Sequence, residues 1–450
     1  MAKSKQKFIC QNCEAVFYKW AGRCENCGEW NSLVEQTLPE VGRSAVARSI
    51  NNGKPLQVNS LNSIPFEEGM KRLKTGIGDL DIILGGGILP GGVTLLAGQP
   101  GIGKSTLLLQ AVSNIAHNYN VLYISGEESS GQVRLRAARL GADKSSNLNF
   151  AASTSADDIA ATIRTGKYQL VVVDSVQTLH LNEITSSPGS ISQITNSSNV
   201  IINAAKETGT SVIFVGHVTK EGSIAGPKIL EHLVDVVLQF EGDRYGGFKI
   251  VRAVKNRYGS TNEAAIFEMG EKGLRIVENP SAALLAERRD EDGSVVLATL
   301  EGARPLLVEI QALVNSTNFG YPKRTASGFD INRLNLLIAV LERRTKLKLS
   351  DKDIYINVVG GIKISDPAAD LAICMAIASA SAGRRLNYGT VVFGEVGLGG
   401  EVRSVISIEK RIAEAKKLGF TKALAPITIK DDFIIGVDNV RSTLIEYLQK

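Results

Sequence analysis

A short apolar run, Val93-Thr-Leu-Leu-Ala97, leads straight into Gly98-Gln99-Pro100-Gly101-Ile102-Gly103-Lys104-Ser105-Thr106. Leu107, Leu108, Leu109 and Ala111 follow at helical spacing. A buried strand, a glycine-rich turn and a helix in that order demand a parallel sheet with helices packed on it, so the chain reads as α/β. The glycines let backbone N–H groups close around phosphate oxygens, and the helix N-terminus adds a favourable dipole. Residues Gly98 to Thr106 therefore read as a nucleotide cradle. Lys104 is expected to reach the β- and γ-phosphates of ATP, and the Ser105 hydroxyl to ligate Mg²⁺.

Three further runs suit the same sheet. Leu170-Val-Val-Val-Asp174 is almost continuously apolar, as befits a strand covered on both faces, and it ends in an acid. At the carboxyl end of such a strand Asp174 can hold the Mg²⁺ water shell. Val121-Leu-Tyr-Ile124 runs into Ser125-Gly-Glu127-Glu128, and Ser211-Val-Ile-Phe-Val215 runs into Gly216-His217. A carboxylate at the first edge can polarise an attacking water, and His217 at the second can sense a γ-phosphate. Taken singly, each of these side chains is as readily a cap or a satisfied surface group. Their convergence on one edge is what gives them weight.

Near the start, Cys10-Gln-Asn-Cys13 is followed ten residues later by Cys24-Glu-Asn-Cys27. Two Cys-x-x-Cys pairs supply four thiolates for one tetrahedral Zn²⁺, and a segment this short would draw most of its stability from the metal. Gly22 and Gly28 stand where such knuckles need unusual backbone angles. Trp20 and Trp30, the only tryptophans, flank the pairs. They can stack on bases or form the small core of the module, and the second is the simpler reading. Five cysteines in 450 residues do not resemble a disulfide framework, and a reducing cytoplasm fits them. The basic opening residues lack the apolar stretch of a secretory signal, and the longest nearly apolar run, around 371–383, falls short of a membrane span.

The formal net charge is only +5, and residues 321–350 carry that much alone, with seven basic residues against Asp330 and Glu342. This stretch is open to two readings, a surface for nucleic acid or an ordinary solvated face. Within it, Asp330 can cap a helix whose Ile331, Leu334, Ile338 and Leu341 share one face. Residues 354–359 alternate as a strand, and 370–381 form a small-residue apolar helix in which Cys374 is core. Composition divides the chain into a four-cysteine module (1–34), a linker (35–68), an ATPase domain (69–275) and a second α/β domain (281–450).

The phosphate loop, the Gly-Glu-Glu after the second strand and the Val-Val-Val-Asp-Ser run resemble the RecA recombinase core. Val254-Lys255-Asn256-Arg257-Tyr258-Gly259 resembles a motif of the RadA (Sms) family of bacterial DNA-repair and recombination proteins, and the zinc pairs ahead of the ATPase match that family too. The resemblance implies that Glu127, before Glu128, is the catalytic glutamate. It makes His217 the sensor, which is a glutamine in RecA, and Lys255 and Arg257 cations that reach a neighbouring subunit's nucleotide. The C-terminal domain resembles the Lon peptidase domain, but Ala368 stands where the nucleophilic serine belongs and Arg411 where the lysine belongs. Alanine has no nucleophile and arginine stays protonated, so no peptidase activity is expected, with Ser365 and Lys410 poor replacements. The fold implied is a RecA-like P-loop ATPase with an N-terminal zinc ribbon and a C-terminal Lon-peptidase-like domain. The function implied is a DNA-dependent ATPase motor that assembles as a homo-oligomer, by resemblance a hexameric ring. It would translocate on single-stranded DNA and move branched recombination intermediates together with the RecA recombinase. The segment from His217 through Lys220, Glu221 and Gly222 to Lys228 would face that DNA. The rival is a nucleotide-gated ATPase that acts on a protein partner, since such cores serve both roles.

Overall fold

The structure, a computed structural model, describes residues 7–10, 15–17, 19–30, 32–36, 60, 71–218, 229–242, 247–317, 320–427 and 431–448. It divides into two units, Met1–Glu68 and Gly69–Lys450. Of the 35–68 linker, only residues 35, 36 and 60 lie among the described residues, as do neither Cys13 nor residues 219–228.

In the first unit, strands β1 (Lys7–Cys10), β2 (Val16–Phe17) and β3 (Leu33–Gln36) form an antiparallel sheet in the order β2-β1-β3. Its small core is Cys10, Cys24 and Leu33, with Phe8, Phe17 and Ala21 packed against them. The tryptophans are not that core, contrary to the simpler sequence reading: Trp20 is 62% and Trp30 68% exposed. The cysteine turns occupy the interior and leave no room there for indoles. Gly28 does take a left-handed backbone, at φ 77°, whereas Gly22 does not.

The second unit holds two large sheets. The first runs through β4 (Val93–Gly98), β5 (Val121–Ser125), β6 (Leu148–Ala152), β7 (Leu170–Asp174), β8 (Ser211–His217), β9 (Val236–Gly242), β10 (Lys249–Asn256), β11 (Ala264–Gly270) and β12 (Gly273–Ile276). Their order is β12-β11-β10-β9-β4-β8-β7-β5-β6. Strands β4 to β9 pair in parallel, and β10 to β12 extend the sheet antiparallel. The two faces of the parallel part feed separate apolar layers: Val121, Tyr123 and Val172 lie in one, Leu122, Ile124 and Val173 in the other. Period-two alternation inside an all-apolar run is what two-sided coverage by helices requires.

The second sheet comprises β13 (Ser294–Glu301), β14 (Arg304–Ser316), β15 (Arg324–Ser327), β16 (Lys352–Val358), β17 (Thr390–Val392), β20 (Lys422–Pro426) and β21 (Ile434–Val437), with β18 (Glu395–Val396) and β19 (Val402–Arg403) as a separate pair. The helix Ala369–Ala382 is buried over most of its length, Cys374 included, as its small-residue sequence implies. Asp330 caps the helix Ile331–Val340 by accepting from the Arg333 N–H. The buried face of that helix differs from the expected one. Ile331 is exposed and Leu337 joins Leu334, Ile338 and Leu341 inside, because the first turn of the helix projects beyond the core. Two members of the basic stretch are engaged at home: Arg333 pairs with the buried Asp370, and Arg344 donates to the Leu398 carbonyl. The two sheets share apolar residues, Ile250 and Ile266 packing with Val295 and Leu306 in one core. Ion pairs Arg304–Asp79 (2.8 Å) and Arg252–Glu301 (3.1 Å) join them as well. Among the described residues, no helix is long and apolar enough to cross a membrane.

Candidate nucleotide site

Strand β4 delivers the chain into the phosphate loop, and the helix Lys104–Ile115 leaves from it. Gly101 and Gly103 sit at φ 78° and 117°, a backbone that L-side chains rarely adopt. Ile102 is buried and Thr106 nearly so, which anchors the loop from below, while Gln99 and Pro100 are more open. The Lys104 ammonium donates to the Gly98 carbonyl (2.8 Å) and the Gln99 carbonyl (2.9 Å), and contacts His217 Nδ1 at 3.1 Å. Burial lowers its pKa to about 8, against the pull of Asp174 and Glu127.

The neighbouring strands bring the other groups to the same edge. Register pairs Ser125 with Asp174 and Gly98 with His217, so β5, β7, β4 and β8 end together. Asp174 Oδ2 accepts from Ser105 Oγ at 2.7 Å and from the Tyr123 hydroxyl at 2.5 Å. After β5 the chain turns on Ser125, whose Oγ accepts from the Glu127 and Glu128 N–H groups. It then enters the helix Ser130–Leu140 through a capping box of Ser129 and Gln132. That turn separates the two glutamates. Glu127 accepts from Ser175 Oγ and lies 3.3 Å from His217 Nε2, whereas Glu128 pairs with Arg136. The hydrogen bonds from His217 and Ser175, with Lys104 nearby, hold the Glu127 carboxyl down at about 2 despite partial burial.

The hydrogen-bond roles of the two His217 nitrogens follow from their partners. An ammonium can only donate, so Nδ1 accepts from Lys104, and Nε2–H is left to donate to Glu127. That assignment gives the ring the same acceptor-plus-donor pair that a glutamine amide would offer. An open cleft of about 310 Å³ is lined by Gly101, Lys104, Ser105, Glu127, Asp174 and His217, with Arg136 and Arg139 on its rim. Its fit to a nucleoside triphosphate with Mg²⁺ rests on the donor set: a lysine on loop carbonyls, a hydroxyl and a carboxylate in contact, and no other anion on the loop itself.

Lys255 and Arg257 lie elsewhere. Lys255 pairs in register with Val237, three residues before Phe240, which is level with Gly98. That displacement is about 10 Å toward the opposite edge of the sheet. There the Lys255 ammonium donates to the carbonyls of Glu231 (2.6 Å) and Val234 (2.7 Å). Arg257 pairs with Asp235 at 3.0 Å, and the other oxygen of that buried carboxylate accepts from the Val93 N–H. Neither cation lines the cleft of its own chain. The expected DNA-facing loop, with Lys220, Glu221, Gly222 and Lys228, lies outside the described residues.

In the N-terminal unit the sulfurs of Cys10, Cys24 and Cys27 lie within 4.8 Å of one another, and those of Cys10 and Cys27 are 3.6 Å apart. Tetrahedral zinc thiolates at about 2.3 Å place sulfurs about 3.8 Å apart, so these three fit. Cys13, the fourth expected ligand, is outside the described residues. Sequence reasoning missed Tyr123, Ser175 and Arg136 at the nucleotide site. Tyr123 had a signal, as a lone hydroxyl in an apolar strand, and Arg136 lies only eight residues from its partner Glu128; Ser175 depends on strand order and had none.

Three family models match parts of the chain. An AAA domain family matches residues 69–223, the family described as subunit ChlI of Mg-chelatase matches 334–429, and a rubredoxin metal binding domain matches 8–35. The chain is 48% identical to the DNA repair protein RadA of Bacillus subtilis (strain 168), over 99% of each chain. It is 46% identical to DNA repair protein RadA of Pseudomonas aeruginosa, over 95% of this chain and 94% of that one. With DNA repair protein RadA of Aquifex aeolicus it shares 44% identity over 100% of this chain and 99% of the relative.

Proposed function

This chain belongs to the RadA family of DNA repair proteins, and from that premise we propose that it is a DNA-dependent ATPase motor of recombination and repair. The observation that carries the reading is the meeting of Lys104, Ser105, Glu127, Asp174 and His217 at one sheet edge. In this proposal Lys104 leaves its loop carbonyls for the β- and γ-phosphates. Ser105 would ligate Mg²⁺ and Asp174 would hold its water shell, and the ion would supply charge neutralisation on the phosphate oxygens. Glu127 accepts a hydrogen bond from the attacking water. Held at about 2, it orients that water more than it deprotonates it. His217 reports the γ-phosphate because it touches both Lys104 and Glu127. Lys255 and Arg257, remote from their own cleft, act on the nucleotide of an adjacent copy in a ring, by family resemblance a hexamer.

The same proposal keeps the segments 1–34, 35–68, 69–275 and 281–450 as zinc module, linker, motor and peptidase-like scaffold. Cys10, Cys13, Cys24 and Cys27 would hold Zn²⁺. The scaffold is inactive as a peptidase: Ala368 is buried with no nucleophile, and the Arg411 guanidinium is engaged with Asp366. The motor works in the cytoplasm. It translocates on single-stranded DNA, drives branch migration of recombination intermediates and acts with the RecA recombinase.

The test is ATP hydrolysis with and without single-stranded DNA across a salt series. Stimulation should fade as salt rises, because phosphate contacts release counterions. It should vanish in Lys104→Ala, and in Arg257→Ala despite retained nucleotide binding. Hydrolysis indifferent to DNA at every salt concentration would rule out the motor and point to a protein partner.

Lys104 also sets a pH dependence. With its pKa near 8 in the free protein, it is increasingly neutral above pH 8. Bound phosphate charge raises that pKa, so binding takes up a proton in that range. Affinity should therefore fall as pH rises past about 8. Calorimetry in buffers of different ionisation enthalpy should show uptake at alkaline pH and little near neutrality.

A further inference from the structure

We infer that Tyr123 is a positioning residue for the divalent cation of the nucleotide site, acting by fixing the Asp174 carboxylate. The inference rests on the proposed ATPase site and names a residue that the phosphate-loop pattern does not include.

Tyr123 lies in β5 with its ring in the apolar layer that holds Val121, Val133, Leu170 and Val172. At 2% exposure the ring needs no hydroxyl to pack, and phenylalanine would fill the same space. The hydroxyl has one use: it donates to Asp174 Oδ2 at 2.5 Å. Ser105 Oγ donates to that same oxygen at 2.7 Å. Two donors on Oδ2 stop the carboxylate from turning. Among the described residues no side chain donates to Oδ1, so that oxygen is the one left for a cation or its water shell. A hydroxyl that ligates a cation through a lone pair still has its proton to donate, so Ser105 can stay on Oδ2, but its position would then be set by the cation. Tyr123 reaches Asp174 from within the core, so its bond persists whether or not the metal is bound. Groups that orient a metal-binding residue in this way typically affect metal affinity by about 10- to 100-fold.

A purely structural role, in which Asp174 merely satisfies a buried hydroxyl, predicts a different result. Removing the hydroxyl would then change thermal stability and leave metal dependence alone. The two are separated by Tyr123→Phe in the full-length protein. Binding of a fluorescent ATP analogue is measured in EDTA and across a Mg²⁺ titration, with Mn²⁺ binding followed by electron paramagnetic resonance. The expected result is unchanged affinity in EDTA, with the Mg²⁺ midpoint raised at least about tenfold and Mn²⁺ binding weakened in step. Thermal unfolding checks that the variant is folded. A folded Tyr123→Phe whose Mg²⁺ midpoint and Mn²⁺ affinity match the wild type would overturn the inference and leave the ATPase site standing. Absence of any Mg²⁺-dependent nucleotide binding by the wild-type protein would instead overturn the site itself, and this inference with it.

Discussion

Glu127→Gln should lower ATP turnover by about two to three orders of magnitude while the nucleotide still binds. Glutamine keeps the size of the side chain and one carbonyl to accept from Ser175, so the turn after β5 should persist. Ser175 and His217 both bond Oε1, which the amide oxygen can replace, so what the variant loses is the negative charge that orients the water. Glu128 is the control. Its carboxylate is taken by Arg136, nearly two turns along the following helix, so Glu128→Gln removes an ion pair at the rim. Its turnover should stay within roughly tenfold of wild type. Single-turnover hydrolysis beside nucleotide-binding titrations would check both. Should Glu128→Gln prove the inert variant and Glu127→Gln the active one, the assignment of the water-orienting carboxylate would reverse.

How much of this site could be read from the sequence depends on how local each signal is. The phosphate loop is strand, turn and helix in one stretch of chain, so Lys104 and Ser105 were legible at once. Asp174 and His217 end apolar strands, and were legible once a parallel sheet was assumed. Arg136 meets Glu128 within one turn-and-helix segment, whereas Tyr123 and Ser175 meet their partners only because β5 and β7 are neighbours in the sheet, which no local pattern announces. The same limit hid the antiparallel strands β10 to β12, and the use of Arg333 to pair with Asp370. The tryptophans failed for a different reason. Large apolar side chains default to the interior, but in a module of about thirty residues the cysteine turns already occupy it. Ile331 failed because helical periodicity names a face and not where that face ends.

Arg411→Met should be the most damaging single change in the C-terminal domain, and it should spare ATP chemistry. Arg411 is completely buried; it pairs with Asp366 at 2.7 Å and donates to the carbonyls of Ala298 (2.7 Å) and Ile406 (3.1 Å). Asp366 in turn accepts from Thr299 Oγ1, the Leu300 N–H and the Ala368 N–H, so it gathers β13 and the start of the helix Ala369–Ala382 around one charge. Methionine fills much of the volume and leaves that carboxylate unpaired. Loss of one partner of a buried ion pair costs about 3–5 kcal/mol, enough to lower the melting temperature of this domain by roughly 6–20 °C. Asp366→Asn in the same background removes the unpaired charge, so the double variant should recover part of the loss, and the cycle measures the coupling. The residues that line the nucleotide cleft are untouched, so ATP turnover well below the melting transition should remain near wild type. A melting temperature unchanged in Arg411→Met would mean that the pair contributes nothing to the scaffold. The position would then have to be explained by something other than stability.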